Sequence, residues 1–178
     1  MKPPERLLTV RLVLRKPLRE DAPRIFGAYA QDASVTQYLL WRPHRNISET
    51  YAYLELCLRN WEGDHDFTWV IESRNSGELM GMIGMRIEAT SANVGYVLAV
   101  RFWNQGFMSE AVKGLTDWAL GQETVFRVWA VCDTGNTASA RVLEKAGMQC
   151  EGTLRRWVVL PNMGNEPRDC FCFSRVKS

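Results

Sequence analysis

The chain has 178 residues, 46% of them hydrophobic, and a formal net charge of +2. That length supports one well-buried core, so 1–178 reads as a single domain. Its 22 basic residues are scattered rather than clustered, which excludes the basic footprint of a nucleic-acid binder.

In chain order, "TVRLVLR" alternates, with Val10, Leu12 and Leu14 on one face, and reads as a strand. The arginines around it break up any apolar leader, and no run approaches the roughly 18 apolar residues of a membrane span. A cytoplasmic protein without membrane association is therefore expected. Asp21 is placed to cap a helix through "APRIFGAYAQ", whose apolar side is Ile25, Phe26 and Tyr29. Ser48 is placed to cap a second helix, in which Tyr51, Leu54, Leu58 and Trp61 recur at helical spacing. The period then switches to two. "FTWVIE" puts Phe67, Trp69 and Ile71 on one face, "NSGE" turns, and "LMGMIGMRI" returns as a partner strand. "SAN" is read as the link to the next strand, "VGYVLAV".

Beyond it, Met108, Ala111, Val112, Leu115, Trp118 and Ala119 form a helical stripe. "VFRVWAVCD" is a strand, Thr137 to Ala146 a shorter helix closed by Gly147, and "MQCEGTLRRWVV" and "DCFCFSRV" an antiparallel pair. No repeat, low-complexity segment or linker interrupts the series. The five cysteines (Cys57, Cys132, Cys150, Cys170, Cys172) are odd in number and lack metal-site spacing. His44 and His65 supply no ligand motif, so a reduced protein without a metal site is expected. The element order indicates an α+β fold with a mixed sheet, whose parallel step joins the strands on either side of the long helix.

Two segments carry chemistry. In "RFWNQGFMSEA" a strand gives way to a helix through a glycine turn, and consecutive N–H groups there can hold an anion. Gly106 would let a phosphate approach the backbone. The segment has neither a P-loop lysine nor a G-x-G-x-x-G fingerprint, which argues against a nucleoside triphosphate or a nicotinamide. Alone, this turn also fits an ordinary strand-to-helix connection. One helix and one strand later, "NTASARVLEKAGM" opens with Asn136, an N-cap accepting from the Ser139 amide.

Together these segments resemble the GNAT superfamily of acyl-CoA-dependent N-acyltransferases. Within it, the chain is similar to the bacterial branch that acetylates the N-termini of ribosomal proteins. "LLTVRLVLRKPLREDAPRIF" resembles that branch's opening strand and first helix, and "RDCFCFSRV" its close. The resemblance implies a mixed, mostly antiparallel sheet of about six or seven strands with about four flanking helices. It also implies a bulged strand that splays from its parallel neighbour to form the coenzyme A cleft. The expected co-substrate is acetyl-CoA, with no metal.

Carried over residue by residue, the backbone of Leu98, Ala99 and Val100 would contact pantetheine and supply an oxyanion donor. The amides of Asn104, Gln105, Gly106, Phe107, Met108 and Ser109 would hold the pyrophosphate. Trp103 and Met108 depart from the family motif at its first and last positions. Asn136 would bond the pantetheine amide, and Ser139 would protonate the leaving thiolate as general acid. Arg141 and Lys145 are candidates for the phosphates, and Glu110 is expected to face away from them. For the general base the candidates are Asp133, which ends a strand near the cleft, and Glu151, Glu166 and Asp169 in the C-terminal region, with a water chain as the alternative. The acceptor is expected to be a protein N-terminal amino group, with a polyamine, aminoglycoside or amino acid as alternatives. A non-catalytic acyl-CoA sensor is a further alternative, and the protein is expected to act as a monomer or homodimer. No acidic cluster marks "WRPHRNISE" or "LPNMGNEPRD", and Arg42, Arg45 and Arg168 point toward a neutral or acidic acceptor.

Overall fold

A computed structural model describes residues 2–63 and 66–177; His65 lies outside them. Where one strand was expected near the N-terminus, a hairpin forms. β1 (Arg6–Leu8) and β2 (Leu12–Arg15) pair antiparallel, with Thr9 to Arg11 in the turn. Val10 therefore leaves the Leu12 and Leu14 face and is 84% exposed.

The first helix is also divided. A 3-10 turn over 19–21 leads into α1 (Ala22–Ile25), a π-turn follows over 26–30, and α2 spans Ala33–Thr36. Asp21 does not cap this helix as expected. Its carboxylate accepts from Leu18 N–H at 2.8 Å and receives both terminal nitrogens of Arg15 at 2.6 and 2.8 Å. Arg15 also bridges to Glu72, and Arg24 closes the group. A buried carboxylate is held by paired charge, which outweighs its value as a helix cap. α3 (Ile47–Glu62) is capped by Asn46, whose side chain accepts from Ser48 N–H, rather than by Ser48. Its buried stripe is Thr50, Leu54, Cys57 and Trp61.

β3 (Asp66–Ser73), β4 (Leu79–Glu88) and β5 (Ser91–Leu98) form an antiparallel meander. "SAN" belongs to β5 itself, and the turn lies at Ala89 and Thr90, with Ala89 at φ 43°. α4 (Phe107–Leu120), β6 (Arg127–Asp133), α5 (Thr137–Lys145), β7 (Gln149–Val159) and β8 (Pro167–Val176) complete the chain. Gly147, at φ 85°, ends α5, and Met148 N–H returns to the Leu143 carbonyl at 3.1 Å. Among the described residues eight strands make one mixed sheet, ordered β1-β2-β3-β4-β5-β6-β8-β7. No described helix is long and apolar enough to cross a membrane.

Helices cover both faces. On the α4 and α5 side, Phe67, Trp69 and Ile71 of β3 pack with Met108, Ala111, Val112, Leu115 and Leu143. Trp61 joins them edge-on, with ring centroids 5.0 Å from Phe67 and 5.2 Å from Trp69. Such aromatic pairs contribute about 0.5–1.5 kcal/mol beyond their buried area. On the other face, Val70 and Met82 pack against Ile25, Tyr29 and Leu54.

β5 and β6 are the parallel pair, and they pair over only three positions, ending at Asn93 and Trp129. Past that point β5 keeps β4 and β6 keeps β8. The β4–β5 register runs from Gly81–Leu98 to Glu88–Ser91 without a shift, so the expected bulge is absent and the strands simply part. Gly81 permits the end of β5 to lean onto β4: a Cβ there would lie 2.1 Å from the Val97 carbonyl oxygen. Because that obstacle is backbone, Gly81→Ala is expected to destabilise the fold by about 2–3 kcal/mol, measured by urea unfolding. An unchanged midpoint would show that the close approach is dispensable.

Candidate functional site

The gap between β5 and β6 has one lip of backbone. Ala99 N–H donates to the Met80 carbonyl at 2.9 Å, and the Ala99 carbonyl accepts from Phe102 N–H at 3.0 Å. Both polar groups of Ala99 are thus committed. Antiparallel alternation turns the N–H and C=O of Leu98 the other way, toward the gap. The Leu98 carbonyl accepts from the Trp103 indole N–H at 2.8 Å, which leaves the Leu98 N–H as the donor on this lip. Val100 begins a 3-10 turn, and its carbonyl accepts from Trp103 N–H.

After this turn the chain reverses through two left-handed residues, Asn104 (φ 59°) and Gly106 (φ 78°). Gly106 is the N-cap of α4, and the first internal bond of the helix runs from Glu110 N–H to its carbonyl. The N–H groups of Phe107, Met108 and Ser109 precede that bond and have no helical acceptor. Around them Asn104, Gln105 and Gly106 are exposed. Met108 turns inward and is 3% exposed, so its bulk fills the core and leaves the helix start open. Glu110 faces away, as expected, and accepts from Thr9 Oγ1, Arg11 N–H and Arg11 Nε at 2.6, 2.7 and 2.6 Å. Burial raises its pKa, but these bonds outweigh burial and hold the carboxyl below its ordinary range.

The opposite lip is α5. Asn136 caps it by accepting from Ser139 N–H at 3.1 Å through Oδ1, so its Nδ2 is the group left to donate. Ser139 Oγ lies 2.8 Å from the Tyr96 hydroxyl, which reaches across from β5. This hydrogen bond spans the parted strands. Burial pushes the Tyr96 pKa well above the ordinary tyrosine value, so the hydroxyl keeps its proton. Cys132 stands nearby on β6, with its thiol pushed up to about 11 by burial. Arg141 and Lys145 are exposed on α5.

The four carboxylates expected near the acceptor end separate sharply. Asp133 is 4% exposed and holds Arg168 through Nε at 2.5 Å and Nη2 at 3.0 Å, while accepting from Gly135 N–H at 2.8 Å. The Arg168 guanidinium holds the Asp133 carboxyl below its usual range, which makes it a poor proton acceptor near neutral pH. Glu151 pairs with Arg127 and accepts from Ser174, and its carboxyl is held at about 2. Asp169 accepts from Arg156 N–H at 2.8 Å. Among the described residues, Glu166 has neither an ion pair nor a hydrogen-bond partner. It lines an open depression of about 460 Å³ with Thr134, Met163, Arg168 and Asp169. Asn162 ties this loop to the one after α2, donating to the Thr36 and Trp41 carbonyls at 2.7 and 2.8 Å. Tyr38 donates from that same loop to the Gly135 carbonyl at 3.2 Å.

Sequence reasoning missed Tyr96, Arg11 and the Trp103 bond to Leu98. Only the placing of Tyr96 at an alternate position of "VGYVLAV" could have marked one of them as facing α5.

Comparison with known proteins gives the family and the fold. Residues 11–149 match the family model of the acetyltransferase (GNAT) domain. The uncharacterized N-acetyltransferase YoaA of Bacillus subtilis is 31% identical over 174 residues, covering 96% of each chain. An acetyl transferase from Salmonella typhimurium that modifies the N-terminal serine of ribosomal protein L7/L12 shares the fold. Its TM-score is 0.83 at 21% identity, over 96% of this chain and 97% of that one. The microcin C7 self-immunity acetyltransferase MccE, solved with acetyl-CoA and AMP, reaches 0.86 at 18% identity, over 94% and 93%.

The Asp133–Arg168 pair has a pH signature. A carboxyl depressed in the folded state stabilises it fully above the unfolded carboxylate pKa of about 4 and loses that contribution as pH falls through the folded value. Asp133→Asn is therefore expected to cost about 1 kcal/mol at pH 7, with a shallower loss of stability below about pH 4. Parallel urea titrations at pH 7 and pH 3 would check this, and identical pH dependence in both proteins would contradict it.

Proposed function

The chain belongs to the GNAT acetyltransferase family and is an acetyl-CoA-dependent N-acetyltransferase, and we propose that its acceptor is the N-terminal amino group of a protein, such as a ribosomal protein. Acetyl-CoA supplies the acetyl thioester. The hydrogen bond between Tyr96 and Ser139 across the parted strands carries this reading of the site, since it supports Ser139 as a proton donor beside the gap.

The chain's own groups divide the work. The free amides of Phe107, Met108 and Ser109, with the exposed turn Asn104 to Gly106 before them, hold the diphosphate at the start of α4. A Cβ at Gly106 would meet only Arg11 Nη2, at 3.5 Å, so this concavity is open to a ligand. Leu98 N–H donates to the thioester oxygen as it gains charge, a better fixed donor than Ala99, whose N–H is already spent. Asn136 Nδ2 bonds the pantetheine arm. The Tyr96 hydroxyl reaches both Ser139 Oγ and the Ser139 carbonyl, and with Tyr96 as donor to Oγ the serine proton is left for the gap, where Ser139 transfers it to the departing sulfur. Arg141 and Lys145, both exposed, lend positive charge at the phosphate end of the cleft.

At the acceptor end Asp133 fixes Arg168 instead of accepting a proton. Glu166 is the carboxylate left to take the amine's proton, through water. The fixed Arg168 and the open depression suit an extended peptide with a carboxylate near its terminus. A polyamine or aminoglycoside would call for a strongly acidic pocket, whereas here Asp133 is neutralised by Arg168 and, among the described residues, only Glu166 and Asp169 line the depression without a cation.

Thiol release from acetyl-CoA, run in parallel against short peptides, polyamines, amino acids and aminoglycosides, tests the acceptor. Peptides are expected to give the highest kcat/KM. A preference for a small amine would replace the protein acceptor, and CoA binding without release from any acceptor would restore the sensor reading. Within an active pair, Ser139→Ala is expected to lower kcat about 100-fold with little change in KM for acetyl-CoA. Tyr96→Phe should cost about tenfold, and the double variant should be no slower than Ser139→Ala, because Tyr96 acts through the serine. Additive losses would place Tyr96 on the substrate directly.

A further inference from the structure

We propose that Arg11, in the β1–β2 turn, is a positioning residue for the coenzyme A diphosphate, holding Glu110 and the glycine turn in the geometry that receives it. The inference rests on the reading of the α4 N-terminus as the diphosphate site.

The difficulty that Arg11 resolves is electrostatic. Glu110 stands in the first turn of α4, where a carboxylate suits the helix dipole but repels a diphosphate on the adjacent amides. Three donors from one short turn pull it away: Thr9 Oγ1 and the N–H and Nε of Arg11. The same guanidinium extends beyond Glu110. Its Nη1 donates to the Gln105 carbonyl at 3.1 Å, and its Cζ lies 4.3 Å from the centre of the Phe107 ring. Among the described residues Nη2 has no hydrogen-bond partner, and it is the atom that a Cβ on Gly106 would meet first, at 3.5 Å. One side chain thus neutralises Glu110, fixes the carbonyl just before Gly106, and places positive charge beside the glycine. At 44% exposure it is reachable from solvent.

The turn that carries Arg11 is itself anchored. Arg74 Nη1 donates to the Thr9 and Val10 carbonyls at 2.7 and 3.2 Å, and Arg74 N–H donates to the Arg11 carbonyl at 2.9 Å. On α4, Gly114 lies one turn past Glu110, and a Cβ there would come within 2.9 Å of Thr9 Cγ2. A glycine in a helix interior costs about 1 kcal/mol relative to alanine. Here it lets the hairpin turn seat against the helix, which brings Arg11 within reach of Gln105 and Glu110.

The test is the dissociation constant of CoA, measured by calorimetry for Arg11→Ala, Arg11→Lys, Glu110→Gln and the double variant Arg11→Ala/Glu110→Gln. Arg11→Ala is expected to weaken CoA about tenfold, because it both loses a charge and frees Glu110 to oppose the phosphates. Arg11→Lys keeps the charge without the fork and should recover part of that loss. The deciding result is the double variant: with the unpaired carboxylate gone, it should bind CoA more tightly than Arg11→Ala, and the advantage should shrink at high salt. If Arg11 only braced the fold, removing the second half of the clamp would give no recovery. Unchanged CoA affinity in folded Arg11→Ala, or a double variant no tighter than the single one, would overturn the proposal. Gly106→Val separates the two levels. Lost CoA affinity in a folded Gly106→Val protein supports the diphosphate site, and then an indifferent Arg11 removes only the positioning role. Retained affinity there overturns both.

Discussion

Two parallel strands that pair for three positions and then part impose the constraint on which the site depends. Backbone N–H and C=O groups inside a protein must find partners. Beyond Asn93 and Trp129, each strand meets half of that demand with an outer neighbour, β4 for β5 and β8 for β6. The inner halves face a gap. β6 is paired with β8 over seven positions, so its course is set without β5. β5 is drawn toward β4 where Gly81 allows close approach. The opening is therefore a property of two good antiparallel ladders pulling apart, and it needs no bulge. An extended ligand arm carrying amides is what such an edge lacks, which links the sheet topology directly to pantetheine.

The helices that follow the two strands inherit their divergence. α4 starts just after β5 and α5 just after β6, so their N-termini lie at the same end of the gap. One end is furnished by backbone amides and the other by Asn136 and Ser139. Tyr96 joins the lips, and burial keeps it protonated, so the bridge persists at neutral pH. From far away in sequence, the N-terminal hairpin ties Glu110 of α4 and the Gln105 carbonyl before the helix to the sheet edge.

What could be read from the sequence was local. Gly106, Asn136 and Ser139 stand out because a helix start has a short-range grammar of glycine, cap and first-turn residues. The alternation of "FTWVIE" and the stripe of α4 likewise survive in the structure, since burial periodicity follows from geometry. The failures involve choices between competing local partners. Asp21 had a good capping position and took Arg15 instead, and Ser48 lost the cap of α3 to Asn46 two residues earlier. "TVRLVLR" alternates well enough to be one strand, yet Val10 sits exposed in a turn whose neighbours Thr9 and Arg11 both bond Glu110. The contacts between Tyr96 and Ser139, or Arg11 and Glu110, leave no periodic trace. Their partners are set by how strands and helices pack across the sheet.

The two halves of the site also differ in what they are made of, and that difference governs how far each can be inferred. On the proposed reading the donor half is mostly backbone: Leu98 N–H, the amides after Gly106, and a gap fixed by strand pairing. Many side chains are compatible with it, so Trp103 and Met108 can depart from the family motif while the loop keeps its shape. The acceptor half is made of side chains on loops that are tied together by single bonds, as Asn162 ties its loop to Thr36 and Trp41. Beside them Asp133, at the end of β6, is paired with Arg168 and Asp169, near the start of β8, accepts from Arg156 N–H, and the freedom of Glu166 in the loop before β8 is visible only by elimination. Specificity built from such loops changes with a few substitutions that leave the fold intact. On the proposed reading the reaction is consequently written into the sheet, and the identity of the amine into the loops above it.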